Sequence, residues 1–291
     1  MIYKIVHKTT YRYKYPVSIG NHVACLMPRC FSHQRRTRYE LRIRPSAKLT
    51  ERTDYFGNRL SFFTVQQPHR RLVVEASSEV VIDEGKSLPL EQSMQWEEVT
   101  RCLAECHNPE SLDAYQFTFE SPRIRPSAEL AAYALQSFTP GRQFAEALRD
   151  LNTRIHTDFK FDSKATSFRT PVEEVFRKRR GVCQDFAHLG IACLRSLNLP
   201  VRYVSGYLRT YPPPGRPRLI GSDASHAWIS AYCPGIGWID IDPTNNVLPS
   251  CNHVTVGWGR DYGDVSPLRG LILGGRDHTL AVNVDVEPVE A

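Results

Sequence analysis

Residues 181–188 read Gly181-Val182-Cys183-Gln184-Asp185-Phe186-Ala187-His188, and this stretch decides the fold. The residues that follow, up to about position 197, are apolar nearly all round a helix, which is typical of a buried helix. Cys183 stands at the start of that predicted helix. Unpaired N–H groups and the positive end of the helix dipole favour a thiolate there, and the thiolate is the nucleophilic form of cysteine.

Two segments downstream supply partners for that thiol. Ser225-His226-Ala227-Trp228 begins one predicted strand, and Gly237-Trp238-Ile239-Asp240-Ile241-Asp242-Pro243-Thr244 ends the next. If the turn between them centres on Pro234, position 226 faces position 242 across a hairpin ladder, on one face of the sheet. Cys183, His226 and Asp242 are then a nucleophile, a base and an orienting carboxylate.

Each of these residues alone has an ordinary structural explanation, but the three types in suitable places indicate a catalytic site. The backbone N–H of Cys183 is a natural oxyanion donor. Gln184, Asp185 and Trp228 either shape this site or bind substrate, or serve the fold; the sequence leaves both explanations open. Cys102, Cys106 and His107 have loose metal-like spacing without a second Cys/His pair. We therefore expect no metal and no cofactor.

The rest of the chain predicts an α+β protein. Short alternating strands separated by turn residues indicate an N-terminal antiparallel β domain over residues 1–83. Residues 84–126 are expected to be a linker with short helices, and residues 127–291 a catalytic core with C-terminal strands. Ser127 and Gln143 begin two predicted helices, and a third lies between a Thr170 cap and Gly181. A proline-rich loop at 211–217 is expected to border the cleft.

Bulk properties exclude several classes of protein. The 291 residues carry a net charge of +6 without any nucleic-acid-binding motif. No run approaches the roughly 20 apolar residues of a membrane span, and the N-terminus lacks the order of a signal peptide. We therefore expect a cytoplasmic protein that binds neither nucleic acid nor membrane, with its eight cysteines as free thiols. The oligomeric state is left open.

The motifs around Cys183, His226 and Asp242, together with Arg202-Tyr203-Val204-Ser205-Gly206-Tyr207, resemble those of the bacterial transglutaminase-like cysteine peptidases. Residues 3–29 and 54–58 are similar to that family's N-terminal β region, and residues 259–267 to its C-terminal signature. The resemblance implies a papain-like α+β core and acyl transfer by the thiol. Because the family's carboxylate precedes Pro-Thr, the resemblance implies Asp242 rather than Asp240.

The expected activity is thiol-dependent acyl transfer at amide bonds of a peptide or protein, most simply peptide or isopeptide hydrolysis. Transamidation or ligation shares the first half-reaction and stays open. Removal of amides from glycoprotein side chains uses the same thiol. A binding module that has lost its chemistry is the alternative outside enzymes.

Overall fold

The structure is a computed structural model that describes residues 1–83, 88–105, 108–210 and 224–289. Its strands are β1 (Ile2–Ala24), β2 (Gln34–Arg44), β3 (Leu49–Thr53), β4 (Arg59–Val65), β5 (His69–Ile82), β6 (Lys160–Phe161), β7 (Arg180–Gly181), β8 (Val201–Leu208), β9 (Ala224–Cys233), β10 (Gly237–Ile241), β11 (His253–Gly259), β12 (Leu268–Gly274) and β13 (His278–Val289). Its α-helices are α1 (Trp96–Glu105), α2 (Pro109–Tyr115), α3 (Ala128–Leu135), α4 (Phe144–Asp158), α5 (Val172–Lys178) and α6 (Cys183–Arg195). Within the described ranges, no helix has the length and apolarity needed to cross a membrane.

The N-terminal region forms an antiparallel sheet, as predicted. Its strand order is β2-β5-β1-β4-β3, and β12 and β13 also pair with β1. β1 is 23 residues long, so it pairs with β13 along residues 2–13 and with β12 along residues 17–24. From sequence we predict a strand near residues 279–287, where β13 lies, and none at β12. We count the predicted strand with the catalytic core, because alternation identifies a strand without identifying its partner. The domain boundaries at 83 and 126 stay predictions.

The α+β core is a second antiparallel sheet, of order β10-β9-β8-β11, with α6 packed against it. Every α6 residue from Phe186 to Leu194 is buried, which fits its apolar sequence. Gly190 allows the close approach, because an added Cβ there would lie 2.9 Å from the Ile229 Cδ1 on β9. The helix therefore holds its N-terminus, with Cys183, at a fixed place over the sheet.

The β9–β10 hairpin differs from its predicted register by two residues. The structure pairs Trp238 with Tyr232 and Asp240 with Ser230, so the turn centres on Gly235 rather than Pro234. Gly235 and Gly237 both have positive φ, of 81° and 95°, which moves the turn along the chain. A shift by two keeps side chains on the same face, so positions 226 and 242 are diagonal neighbours instead of directly opposed.

Two of the predicted helix termini also need correction. Ser127 caps α3 as expected, and its hydroxyl accepts the Leu130 N–H at 3.2 Å. Thr170 does not cap α5, because its hydroxyl accepts the Ser167 N–H instead and Pro171 is the N-cap residue. The helix ends at Arg179, with φ of 54°, rather than at Gly181. Gly181 lies in β7 instead, where it pairs with Phe161 of β6, two residues before α6 begins.

Candidate active site

Cys183 is the first residue of α6 and is partly exposed. The carboxylate of Asp185 fixes the start of this helix: its Oδ2 accepts the Val182 N–H at 2.8 Å and the Thr166 hydroxyl at 2.5 Å. Burial raises the pKa of Asp185. Asp185 therefore organises the turn that presents the thiol.

His226 lies on β9 with its ring buried between the thiol and Asp242. Its Nε2 is 2.7 Å from Asp242 Oδ2, so Nδ1 is the ring nitrogen left for Cys183. Burial by itself lowers the pKa of His226, but hydrogen bonds with Asp242 and Cys183 outweigh burial and raise the pKa to about 10. The ring of His226 is therefore held in hydrogen bonds with both Asp242 and the Cys183 side chain.

Asp242 directly follows β10, and its side chain is fully buried. Its Oδ1 accepts the backbone N–H groups of Thr244 and Asn245, at 3.0 and 3.2 Å. Its Oδ2 accepts from His226, from the Asn245 amide at 2.7 Å and from His253 Nε2 at 3.2 Å. Burial raises the pKa of this carboxyl, but the hydrogen bonds from His226, His253 and Asn245 hold it well below its usual range. Asp242 is thus kept as an anion.

The side chains of His226, Asp242 and His253 also form the one His/Cys/Asp/Glu group with metal-like spacing in the described part of the chain. Their ligand atoms lie within 4.8 Å of one another. The donor set argues for hydrogen bonding instead, because Asp242 Oδ2 already accepts three donors and a cation would displace them. The absence of a metal remains a prediction. Cys106 and His107 lie outside the described residues.

Two further predicted residues have different surroundings. Gln184 is partly exposed, and its amide nitrogen is 3.5 Å from the Phe168 carbonyl. Trp228 is fully buried and its ring stacks beside His226, with 6.2 Å between ring centroids. Its indole N–H donates to Asp240 Oδ2 at 3.0 Å. The structure therefore places Asp242, and not Asp240, against His226.

Sequence reasoning missed His253 and Asn245, which both contact Asp242. Asn245 follows the Asp-Pro-Thr motif and could have been identified as an extension of it. His253 begins β11, and nothing in its neighbouring sequence indicates that it reaches the site.

A cavity of about 390 Å³ lies beside these elements. Thr244, from the turn after Asp242, and Phe186, from α6, contribute to its wall. The other lining residues come from the end of α4, from β6 and from Arg179: His156, Thr157, Asp158, Phe159, Lys160, Phe161 and Arg179. The proline-rich loop at 211–217, expected at the cleft, lies outside the described residues.

A cysteine at the start of a buried helix, packed on an antiparallel sheet that carries histidine and aspartate, defines the papain-like class of fold. The bacterial transglutaminase-like N-terminal region matches residues 3–81, and the transglutaminase-like superfamily matches residues 131–243. The chain belongs to the transglutaminase-like superfamily.

Several known proteins are similar to this chain. An uncharacterized protein of Mycobacterium tuberculosis is 41% identical over 295 residues, which cover 99% of this chain and 93% of that protein. A solved structure of a candidate cysteine protease from Cytophaga hutchinsonii matches with a TM-score of 0.78 and 22% identity, covering 100% of this chain and 92% of that one. That likeness establishes the shared fold. A protein-glutamine gamma-glutamyltransferase of Pseudomonas aeruginosa is 34% identical over 76 residues, 26% of this chain and 11% of that protein.

Proposed function

We propose that this protein is a cysteine hydrolase that cleaves peptide or isopeptide amide bonds with Cys183, His226 and Asp242. The observation that carries the proposal is the buried His226 ring, held at 2.7 Å by Asp242 on one nitrogen and hydrogen-bonded to the Cys183 side chain. Family membership supports thiol chemistry at amides in general.

The first half-reaction transfers the acyl group to sulfur. The Cys183 thiolate attacks the amide carbonyl, and the carbon–nitrogen bond breaks as the His226 imidazolium gives its proton to the departing amine. The product is a thioester on Cys183. Asp242 holds the ring orientation and stabilises the imidazolium. The backbone N–H of Cys183, the first residue of α6, can donate to the oxyanion and stabilise it.

Water completes the cycle. Neutral His226 takes a proton from the attacking water, the carbon–sulfur bond breaks, and the acid product leaves with the thiolate and imidazolium restored. An amine in place of water gives transamidation. The partial similarity to a gamma-glutamyltransferase favours that outcome as the second candidate.

The experiment is to incubate the protein with libraries of peptides, isopeptides and glycopeptides and to identify the covalent adduct by mass. We expect an acyl group on Cys183 that disappears in water, and no adduct in Cys183→Ala. Cys102→Ala is the matched control, because Cys102 is also partly exposed but lies on α1. An added amine that captures the acyl group faster than water indicates transamidation.

A non-catalytic binding module predicts another result. Cys183 would then form no acyl adduct and would react with iodoacetamide no faster than Cys102. A cytoplasmic, reducing location is part of our proposal, because the nucleophile must stay a free thiol.

A further inference from the structure

His253 is oriented so that it donates a hydrogen bond to Asp242. The backbone N–H of Ser250 donates to His253 Nδ1 at 3.4 Å, which leaves the proton on Nε2, 3.2 Å from Asp242 Oδ2. The same carboxylate oxygen accepts from His226. The His253 ring also packs edge-on against Trp228, with centroids 5.3 Å apart. His253 therefore helps to hold the Asp242 carboxylate, which in turn orients the ring of His226.

β11, which carries His253, is the edge strand of the core sheet and is irregular. Its pairing with β8 shifts between Thr255 and Gly257. A buried side chain from the N-terminal region meets this irregularity: Gln34 Oε1 accepts the Thr255 N–H at 2.8 Å, and Gln34 Nε2 donates to the Thr255 carbonyl at 2.7 Å. The amide of Gln34 thus pairs with β11 as a neighbouring strand would.

A second amide from the N-terminal region repeats this arrangement at the end of β11. Asn58 Oδ1 accepts the Trp258 N–H at 3.0 Å, and Asn58 Nδ2 donates to the Trp258 carbonyl at 2.8 Å. Arg29 donates to the same Asn58 oxygen at 2.7 Å, and its guanidinium lies 3.5 Å from the centre of the Trp258 ring. Asn58 is fully buried.

We infer that the N-terminal β region is a positioning element for the active site: Gln34 and Asn58 hold β11 so that His253 can orient Asp242 against His226. His253 is accordingly a positioning residue and does not touch the reacting atoms. This inference rests on the proposed function. It explains why buried side-chain amides of the N-terminal region hydrogen-bond to both the N–H and the carbonyl of two residues of β11.

The test measures how fast iodoacetamide alkylates Cys183 across pH 5–9, with the labelled peptide identified by mass. Asp242 and His226 are the titratable groups that face His253, so their pairing is what the pH profile reports. We expect His253→Ala to slow labelling at pH 6 by about 10-fold, the lower end of the loss found when a residue that orients a metal ligand by a hydrogen bond is removed. His253→Gln, which can still donate to Asp242, should recover most of the rate.

Gln34→Ala and Asn58→Ala should change the pH profile in the same direction, by about 3-fold each, because they act one step further away. Leu72→Ala is the control for general loss of stability. Leu72 is fully buried in another apolar cluster of the N-terminal sheet, so its variant should unfold more easily while keeping the profile of the native protein.

The outcomes separate the two proposals. If native Cys183 reacts no faster than Cys102, the proposed function fails. If native Cys183 is selectively reactive and His253→Ala leaves its pH profile unchanged, the positioning role of His253 is wrong. If only His253→Ala has an effect, or Leu72→Ala has the same effect as Gln34→Ala, the role of the N-terminal region is wrong.

Discussion

Two buried histidines of the core, His188 on α6 and His226 on β9, differ in their charge state because their neighbours differ. His188 accepts the Tyr262 N–H at Nε2, and burial lowers its pKa to about 3. His226 is buried as well, but hydrogen bonds with Asp242 and Cys183 raise its pKa to about 10. Burial outweighs the nearby Asp261 charge and lowers the pKa of His188, whereas direct hydrogen bonds with Asp242 and Cys183 outweigh burial and raise the pKa of His226.

The comparison also has consequences for stability. The unfolded value is 6.5 for both rings. The contribution of His226 is fully present below pH 6.5 and is lost as the pH rises through about 10. The contribution of His188 has the opposite sign: the unfolded chain binds the proton more readily, so stability falls as the pH drops from 6.5 towards 3.

The largest expected effect is on activity when the cationic ring is removed. His226→Ala should lower the rate of acyl-adduct formation by about 10⁵-fold, because the thiol loses its base and the leaving amine its acid. His188→Gln should keep a rate within about 10-fold of the native protein, since a structural imidazole takes no part in proton transfer. Equal losses measured by adduct mass would contradict the distinction between the two rings.

Removing the negative charge of Asp242, which raises the pKa of His226, should have the next largest effect on the rate of acyl-adduct formation. Asp242→Asn keeps the shape and the Oδ1 acceptor but removes the anion, so we expect the rate to fall by about 10³- to 10⁴-fold. The pKa of His226 should also fall, which an NMR titration of its ring protons can measure. An unchanged titration curve would mean that Asp242 does not raise the pKa of His226.

A stability measurement in acid isolates His188. With a pKa of about 3 in the folded state, protonation of the unfolded chain should cost the native protein about 2–3 kcal/mol of unfolding free energy between pH 7 and 4.5. His188→Gln keeps an acceptor for the Tyr262 N–H but has no ring at position 188 to take up a proton on unfolding. Urea unfolding at both pH values should therefore show a smaller loss in the variant, and equal losses would rule out His188.

The smallest expected effect concerns the ring stacked beside His226. Trp228→Phe keeps the aromatic packing but removes the N–H that donates to Asp240 at 3.0 Å. We expect a loss of about 1 kcal/mol in unfolding free energy and a change of less than about 3-fold in Cys183 labelling. A large drop in labelling at unchanged stability would give Trp228 a direct part in the chemistry.

Local chemistry made much of this molecule predictable from sequence. The apolar stretch after Cys183 predicted a buried helix, and the structure has it at Cys183–Arg195. The choice of Asp242 over Asp240 agrees with the contacts that the structure describes, because Asp242 contacts His226 and Asp240 contacts Trp228. The predicted register of the β9–β10 hairpin was wrong by two residues. The positive φ angles of Gly235 and Gly237 set the position of the turn, and the sequence does not reveal those angles.

Long-range pairing was beyond the sequence. β13 shows the alternation of a strand and β12 does not, and nothing in the residues of either identifies β1 as their neighbour. His253 likewise reaches Asp242 through the packing of a strand that lies apart from the catalytic motifs. Gln34 and Asn58 look like ordinary polar residues near turns, and their function depends on which edge strand the fold brings beside them.

The pairing of β1 with β13 has a consequence for the newly made chain. Val284 and Val286 of β13 share an apolar cluster with Tyr3 and Ile5 of β1 and with the β11 valines that follow His253. When the chain has been made up to residue 267, all three proposed catalytic residues are present in it, yet β1 still lacks both β12 and β13, which pair along most of its length. Synthesis of β12 and β13 completes the sheet against which the β11 valines pack, so the proposed site is expected to reach its final arrangement only after its three motifs have been made.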